Sequence, residues 1–137
     1  MKNSVIFLLL FSFPFLTSSS CEKKKEKDRE CPPNVICTMM YAMVNVTVKT
    51  SNDEPVELQK VKTVRKSTGE ILTYNSNAKG SYIVLDDSYV KSLQNQTDTF
   101  IFSGMLDGKE IVHEPFVIGA DCCHVKKVSG RNAITLP

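Results

Sequence analysis

The sequence predicts an all-β fold, an antiparallel β-sandwich of about seven strands with one short helix. Valines at every second position, Val44, Val46 and Val48, alternate with polar residues, which is typical of a strand with one buried face. Clusters of turn-forming residues separate short apolar runs along 35–128, as expected for short strands. With 137 residues, of which 42% are hydrophobic, the chain is long enough for one packed domain over 35–128.

The first half of this domain is predicted to contain three strands, over 35–50, 56–66 and 71–74. The run 35–43 is apolar on both faces, so we expect it to be covered on both sides or interrupted by a bulge. Its methionines are expected to pack in the core rather than to form a soft-metal or binding surface. In the second strand the apolar positions change parity between Leu58 and Val61, which predicts a bulge there.

The second half is predicted to contain the helix and four strands, over 81–85, 99–106, 109–118 and 121–128. Asp87 or Ser88 is expected to cap the short helix, which must dock on a sheet because two turns are not stable alone. Asp107-Gly108 predicts a hairpin turn, and Pro115 places the next strand at a sheet edge or a bulge. Residues 129–137 are predicted to form a flexible tail.

Residues 1–20 are predicted to be a secretory signal peptide. Lys2 precedes an apolar stretch, Val5 to Leu16, that is too short for a stable membrane-spanning helix, and small residues follow it. The Ser-Ser-Ser-Cys boundary at Cys21 resembles the processing site of bacterial lipoproteins. This resemblance implies that Cys21 is acylated and becomes the first residue of the mature chain. Residues 21–34 would then contain the lipidated cysteine and a charged, solvated tether.

Four further cysteines lie towards the two ends of the predicted domain, at Cys31, Cys37, Cys122 and Cys123. Removing Cys21 from the count leaves an even number, which suits disulfides in an oxidising compartment. We expect Cys31 and Cys37 each to bond one member of the doublet, and the sequence leaves the two cross pairings open. The alternative is a soft-metal site for zinc or copper(I), built from these cysteines and His124.

Two short patches of the predicted domain carry a family resemblance. Residues 46–56 combine a strand, a polar turn and a Pro-Val step, and residues 79–84 contain a Gly-x-Tyr strand. Both patches are similar to those of carboxypeptidase-regulatory-like, transthyretin-like domains. The resemblance implies a sandwich with a short late helix, and an accessory or binding module rather than a catalyst.

The composition narrows the classes of function. A formal net charge of +2 gives no electrostatic case for nucleic-acid binding. The sequence contains no nucleophile elbow, phosphate-binding glycine loop or zincin motif, so we expect no enzymatic activity, no catalytic residue and no cofactor. A rival hypothesis is a hydrolase that uses His113 or His124 with Asp86 or Asp87, and it requires these side chains to converge.

The sequence therefore predicts a lipid-anchored, non-catalytic binding module of the cell envelope. It would face the periplasm or lie at the outer membrane, contact membrane lipid through Cys21, and bind an unidentified protein or glycan. The rival of a different class is a periplasmic protein that binds a soft metal through the four domain cysteines and His124.

Overall fold

The computed structural model describes residues 31–76 and 78–137, and these form two β-sheets packed face to face. The predicted signal peptide, Cys21 and the charged run 22–30 lie outside the described residues. The strands are β1 Met43–Thr50, β2 Gln59–Arg65, β3 Ile71–Leu72, β4 Ser81–Asp86, β5 Gln96–Leu106, β6 Lys109–Ala120, β7 Val125–Ser129 and β8 Ala133–Leu136. One sheet has the order β4-β1-β8 and the other β3-β2-β5-β6-β7, which confirms the all-β sandwich.

The alternating valines of β1 lie on one buried face, as their spacing predicts. Val44, Val46 and Val48 are buried, while the residues between them face outwards. On the opposite sheet, Phe100, Phe102 and Phe116 are fully buried, and the rings of Phe102 and Phe116 meet edge to face with centroids 6.4 Å apart. These side chains belong to one hydrophobic core shared by the two sheets.

Local turn and bulge chemistry also follows the sequence. The pairing of β2 with β5 shifts register between Gln59 and Lys62, where Lys60 has a φ of 46°, so the predicted bulge is confirmed. Asp107 and Gly108 both have positive φ, as a tight hairpin turn between β5 and β6 requires. Pro115 pairs with β5 only, because β7 joins β6 from Val117 onwards.

The short helix docks as expected, with a different cap. A 3₁₀ turn, Asp87–Tyr89, runs directly into α1, Val90–Leu93, whose Leu93 is fully buried. The cap is Asp86 rather than Asp87 or Ser88, since the Asp86 carboxylate accepts a hydrogen bond from the Ser88 amide. Asp87 is thereby left for a different set of contacts.

The structure corrects two of the predicted segment boundaries. Residues 31–42, which we name the clasp loop, lie outside the sheets, so β1 begins only at Met43. The segment 129–137 is not a tail beyond the domain, because it contributes β8 with Ile134 buried. Thr47 to Thr50 of β1 pair with β8 in parallel, whereas every other strand pair within the described residues is antiparallel.

One ion pair joins two neighbouring strands of the larger sheet, β2 and β5. Arg65 Nε donates to Asp98 Oδ2 at 2.6 Å, and both side chains are only 13% exposed. Burial by itself raises the pKa of Asp98, but hydrogen bonds from Ser67, Arg65 and the Thr99 amide bring that pKa below its usual value.

None of the helices in the described part of the chain has the length and apolar character needed to cross a membrane.

Candidate functional site

Two disulfides attach the clasp loop to the turn between β6 and β7. Cys31 bonds to Cys122 and Cys37 bonds to Cys123, with Cα–Cα distances of 5.5 and 5.3 Å. The bonded residues are 91 and 86 positions apart in the chain, so both bonds are long-range. The structure thus adopts one of the two cross pairings that the sequence left open.

The cysteine doublet lies in a turn and not in a strand. Asp121 Oδ1 accepts from the backbone amides of Cys123 and His124 at 2.8 and 2.9 Å, and β7 begins only at Val125. These two amide donors hold the pKa of Asp121 below its usual value. The prediction of a strand over 121–128, with the two cysteines on opposite faces, is therefore wrong at its start. A turn brings both cysteines towards the same loop.

Asp87 links three segments of the site. Its Oδ2 accepts from the Ala42 amide at 2.7 Å and lies 2.8 Å from His124 Nδ1, while its Oδ1 accepts from the Val125 amide at 2.8 Å. Burial, the largest influence, raises the pKa of this carboxyl, but the combined hydrogen bonds lower it below the usual value. The carboxylate therefore fixes the end of the clasp loop and the start of β7 to the 3₁₀ turn.

His124 joins this carboxylate to a hydroxyl on the clasp loop. Thr38 Oγ1 lies 2.9 Å from His124 Nε2. With the ring proton on Nδ1, His124 donates to Asp87 and accepts from the Thr38 hydroxyl. The order hydroxyl, imidazole, carboxylate is the one in which an imidazole can take a proton from an attacking hydroxyl.

Sequence reasoning missed Thr38, although a signal for it exists. Thr38 follows Cys37 in the chain, and His124 follows Cys123. A bond between these two cysteines therefore brings the two polar neighbours together. The signal could not be used while the cross pairing was open.

The clasp loop displays the largest set of exposed apolar side chains in the described chain. Ile36 is 96% exposed, Met39 104%, Met40 77% and Tyr41 60%, and Val35 and Met43 flank them at 41% and 45%. The prediction that these methionines pack in the core is wrong. We call Ile36, Met39 and Met40 the apolar tip of the clasp loop.

The remaining predicted site residues lie apart from this assembly. His113, in β6, is 64% exposed and its Nδ1 lies 3.1 Å from Glu110 Oε1. Asp86 caps the 3₁₀ turn. The hydrolase hypothesis thus requires the pair Asp87 and His124, which do converge, and not His113 or Asp86.

The soft-metal hypothesis needs thiolate ligands, and the four described cysteines are bonded to one another. A sulfur in a disulfide carries no thiolate charge to offer a metal ion. Within 31–76 and 78–137, no group of three or more His, Cys, Asp or Glu side chains is placed to hold one. Nothing in the described geometry favours this alternative.

Comparison with known proteins gave no match: no protein family, no curated protein and no solved structure matches this chain.

Proposed function

We propose that this protein is a non-catalytic, lipid-anchored binding module of the cell envelope, and that it binds through the clasp loop. The observation that carries the proposal is the apolar tip, whose three side chains are 77–104% exposed on a loop held at several points. Contiguous exposed apolar surface on a folded domain is typical of an interaction or membrane site.

The loop is held in place before any partner arrives. Ordering a residue costs about 1–2 kcal/mol of backbone entropy, and an exposed loop gains little from burial in return. Here the Cys31–Cys122 and Cys37–Cys123 bonds and the hydrogen bond from Ala42 to Asp87 offset that cost. A surface that is already ordered loses less entropy on binding and so binds more tightly.

The anchor is proposed on sequence grounds. The apolar stretch Val5 to Leu16 and the small residues before Cys21 support export and acylation of that cysteine. Several acyl chains on one residue give stable membrane attachment, since each buried CH₂ contributes about 0.8 kcal/mol. Membrane lipid is thus the proposed partner of Cys21, and the clasp loop is free to bind a second partner, either a protein, a glycan or the membrane itself.

The test compares methionine oxidation in the intact envelope with oxidation of the purified protein. If the clasp loop is bound in the envelope, peroxide oxidises Met39 and Met40 more slowly there than in the purified protein, as measured by peptide mass. Met105, which is partly buried in β5, serves as the internal control and should react equally in both. Equal rates for Met39 and Met40 would reject the binding role, and a mature chain without acyl mass on Cys21 would reject the anchor.

A second candidate function, ester or amide hydrolysis, is favoured by the chain of contacts from Thr38 through His124 to Asp87. In this mechanism the Thr38 oxygen attacks a carbonyl carbon while His124 Nε2 takes the hydroxyl proton. The bond to the alcohol or amine then breaks and that group leaves with the proton from His124. Water, deprotonated by His124, finally releases the acyl group from Thr38 as a carboxylic acid. Turnover of an activated ester that disappears in both Thr38→Val and His124→Gln would support it. Absence of turnover and of an acyl group on Thr38 would leave these residues as a structural link between the clasp loop and β7.

A further inference from the structure

We infer that the partner of the apolar tip is the lipid bilayer itself, so that the clasp loop inserts into the membrane interface beside the acyl anchor. This inference rests on the proposed function, because the anchor is what keeps the loop close to the membrane. It gives the domain a second, non-covalent contact with the membrane.

The shape of the tip favours a fluid partner. The side chains of Ile36 and Met39 are 96% and 104% exposed, so they project from the surface. A protein partner would need a surface complementary in shape to these side chains, whereas the acyl and headgroup region surrounds them without any preformed shape. Tyr41 lies two residues from Met39 and combines an apolar ring with a polar hydroxyl, as is typical of residues at the membrane interface.

The position of the loop in the chain favours the same partner. The bond from Cys31 to Cys122 fixes the point at which the N-terminal part of the chain joins the domain. Cys21 lies ten residues before Cys31, so the start of the clasp loop lies at most about 35 Å from the anchor, even when the intervening chain is fully extended. At that distance a contact that is weak by itself is occupied most of the time, because the anchor raises the effective concentration of membrane.

The charge of the connecting segment does not oppose this approach. Residues 22–30 contain five basic and four acidic side chains, which gives a net charge of +1. A segment with this balance is not repelled by anionic headgroups, and its lysines and arginine are weakly attracted to them.

The experiment uses the fact that the chain contains no tryptophan. A single Met39→Trp substitution therefore places one reporter in the apolar tip. The matched control is Ile71→Trp, since Ile71 is also exposed, at 64%, but lies in β3 at the edge of the larger sheet. The mature acylated proteins are reconstituted in vesicles of phosphatidylethanolamine and phosphatidylglycerol, with and without brominated acyl chains.

For Met39→Trp we expect emission to shift to shorter wavelength in vesicles and to be quenched several-fold by the brominated lipid. For Ile71→Trp we expect neither effect. Met39→Trp emission that stays at the water-exposed wavelength while the protein sediments with the vesicles would overturn the inference and leave the anchor intact. A blue shift that depends on protein concentration and needs no lipid would overturn it in favour of a second copy of the chain.

Failure of the anchor gives a distinct result. In that case the mature chain lacks acyl mass, and the same reporter is titrated with vesicles without covalent attachment. A lipid-dependent blue shift supports the loop contact if the affinity for vesicles, taken from the titration, falls about 100-fold when Ile36 and Met40 are changed to Ser. No shift at any lipid concentration rejects it.

Discussion

Removal of one disulfide while the other remains should lower the free energy of unfolding much less than removal of both. The perturbation is the double variant Cys37→Ala/Cys123→Ala, which leaves the Cys31–Cys122 bond in place. With that bond present, the second bond closes only a small ring, because Cys31 and Cys37 are six residues apart and the doublet residues are adjacent. The ring contains nine residues, the seven from Cys31 to Cys37 and the two of the doublet, so its closure restricts the unfolded chain much less than the first bond does.

The magnitude follows from loop-closure entropy. A single bond across the 86 or 91 residues that separate the partners stabilises the fold by about 4.6 kcal/mol, and the second bond adds about 2.5 kcal/mol. Both bonds together contribute about 7 kcal/mol, a large part of the total stability of a domain of this size. Either bond closes the same small ring when it forms second. The variant lacking Cys31 and Cys122 should therefore lose as much stability as the variant lacking Cys37 and Cys123.

Urea unfolding followed by circular dichroism measures these free energies. The four proteins are the parent, the two double-alanine variants and the variant with all four cysteines replaced. The two double variants are expected to be about 2.5 kcal/mol less stable than the parent, and the quadruple variant about 7 kcal/mol less stable. A double variant that loses nearly as much stability as the quadruple variant would show that the second bond does more than close a small ring. Chemical reduction of the parent should reproduce the quadruple variant.

The other predictions concern single carboxylates and one glycine. Asp87→Ala removes the acceptor for two backbone amides and an imidazole, so we expect the free energy of unfolding, measured in urea, to fall by about 3 kcal/mol. An unchanged free energy of unfolding would show that Asp87 does not hold the clasp loop. Because the pKa of Asp98 is lowered by folding, its stabilisation is present above the unfolded value of about 3.9 and disappears as the pH falls through the lower folded value. Unfolding measured between neutral pH and about pH 2 should therefore show a weaker pH dependence in Asp98→Asn, and an unchanged dependence would contradict this assignment. Gly80→Ala should lower the free energy of unfolding by about 2 kcal/mol more than Gly69→Ala. Both glycines have positive φ, but only at Gly80 would the new Cβ lie 2.6 Å from Pro55 Cβ. Equal losses of stability in the two variants would refute the clash.

Elements specified by neighbouring residues were predictable from the sequence. The buried face of β1 follows from Val44, Val46 and Val48, and the bulge in β2 follows from a change of parity within four residues. The β5–β6 turn follows from Asp107-Gly108, whose backbone conformation few other residue pairs adopt. In each case the cause lies within a few positions of the effect.

Features that depend on distant partners were not predictable. The apolar run 35–42 has the composition of a buried strand, but the disulfides to Cys122 and Cys123 hold it outside the sheets. Residues 133–136 are a strand because β1 offers them a free edge, which their own sequence does not show. The contact between Thr38 and His124 likewise exists only because Cys37 pairs with Cys123.

During synthesis, β1 leaves the ribosome long before β8, its parallel neighbour in the smaller sheet. Cys31 and Cys37 emerge equally early, while their partners lie 91 and 86 residues later. Under the export proposed above, these two thiols, only six residues apart, would reach an oxidising compartment before their partners. A bond formed between them at that stage must be exchanged for the native pair, and thiol–disulfide exchange rather than strand pairing would then set the rate at which the sandwich matures.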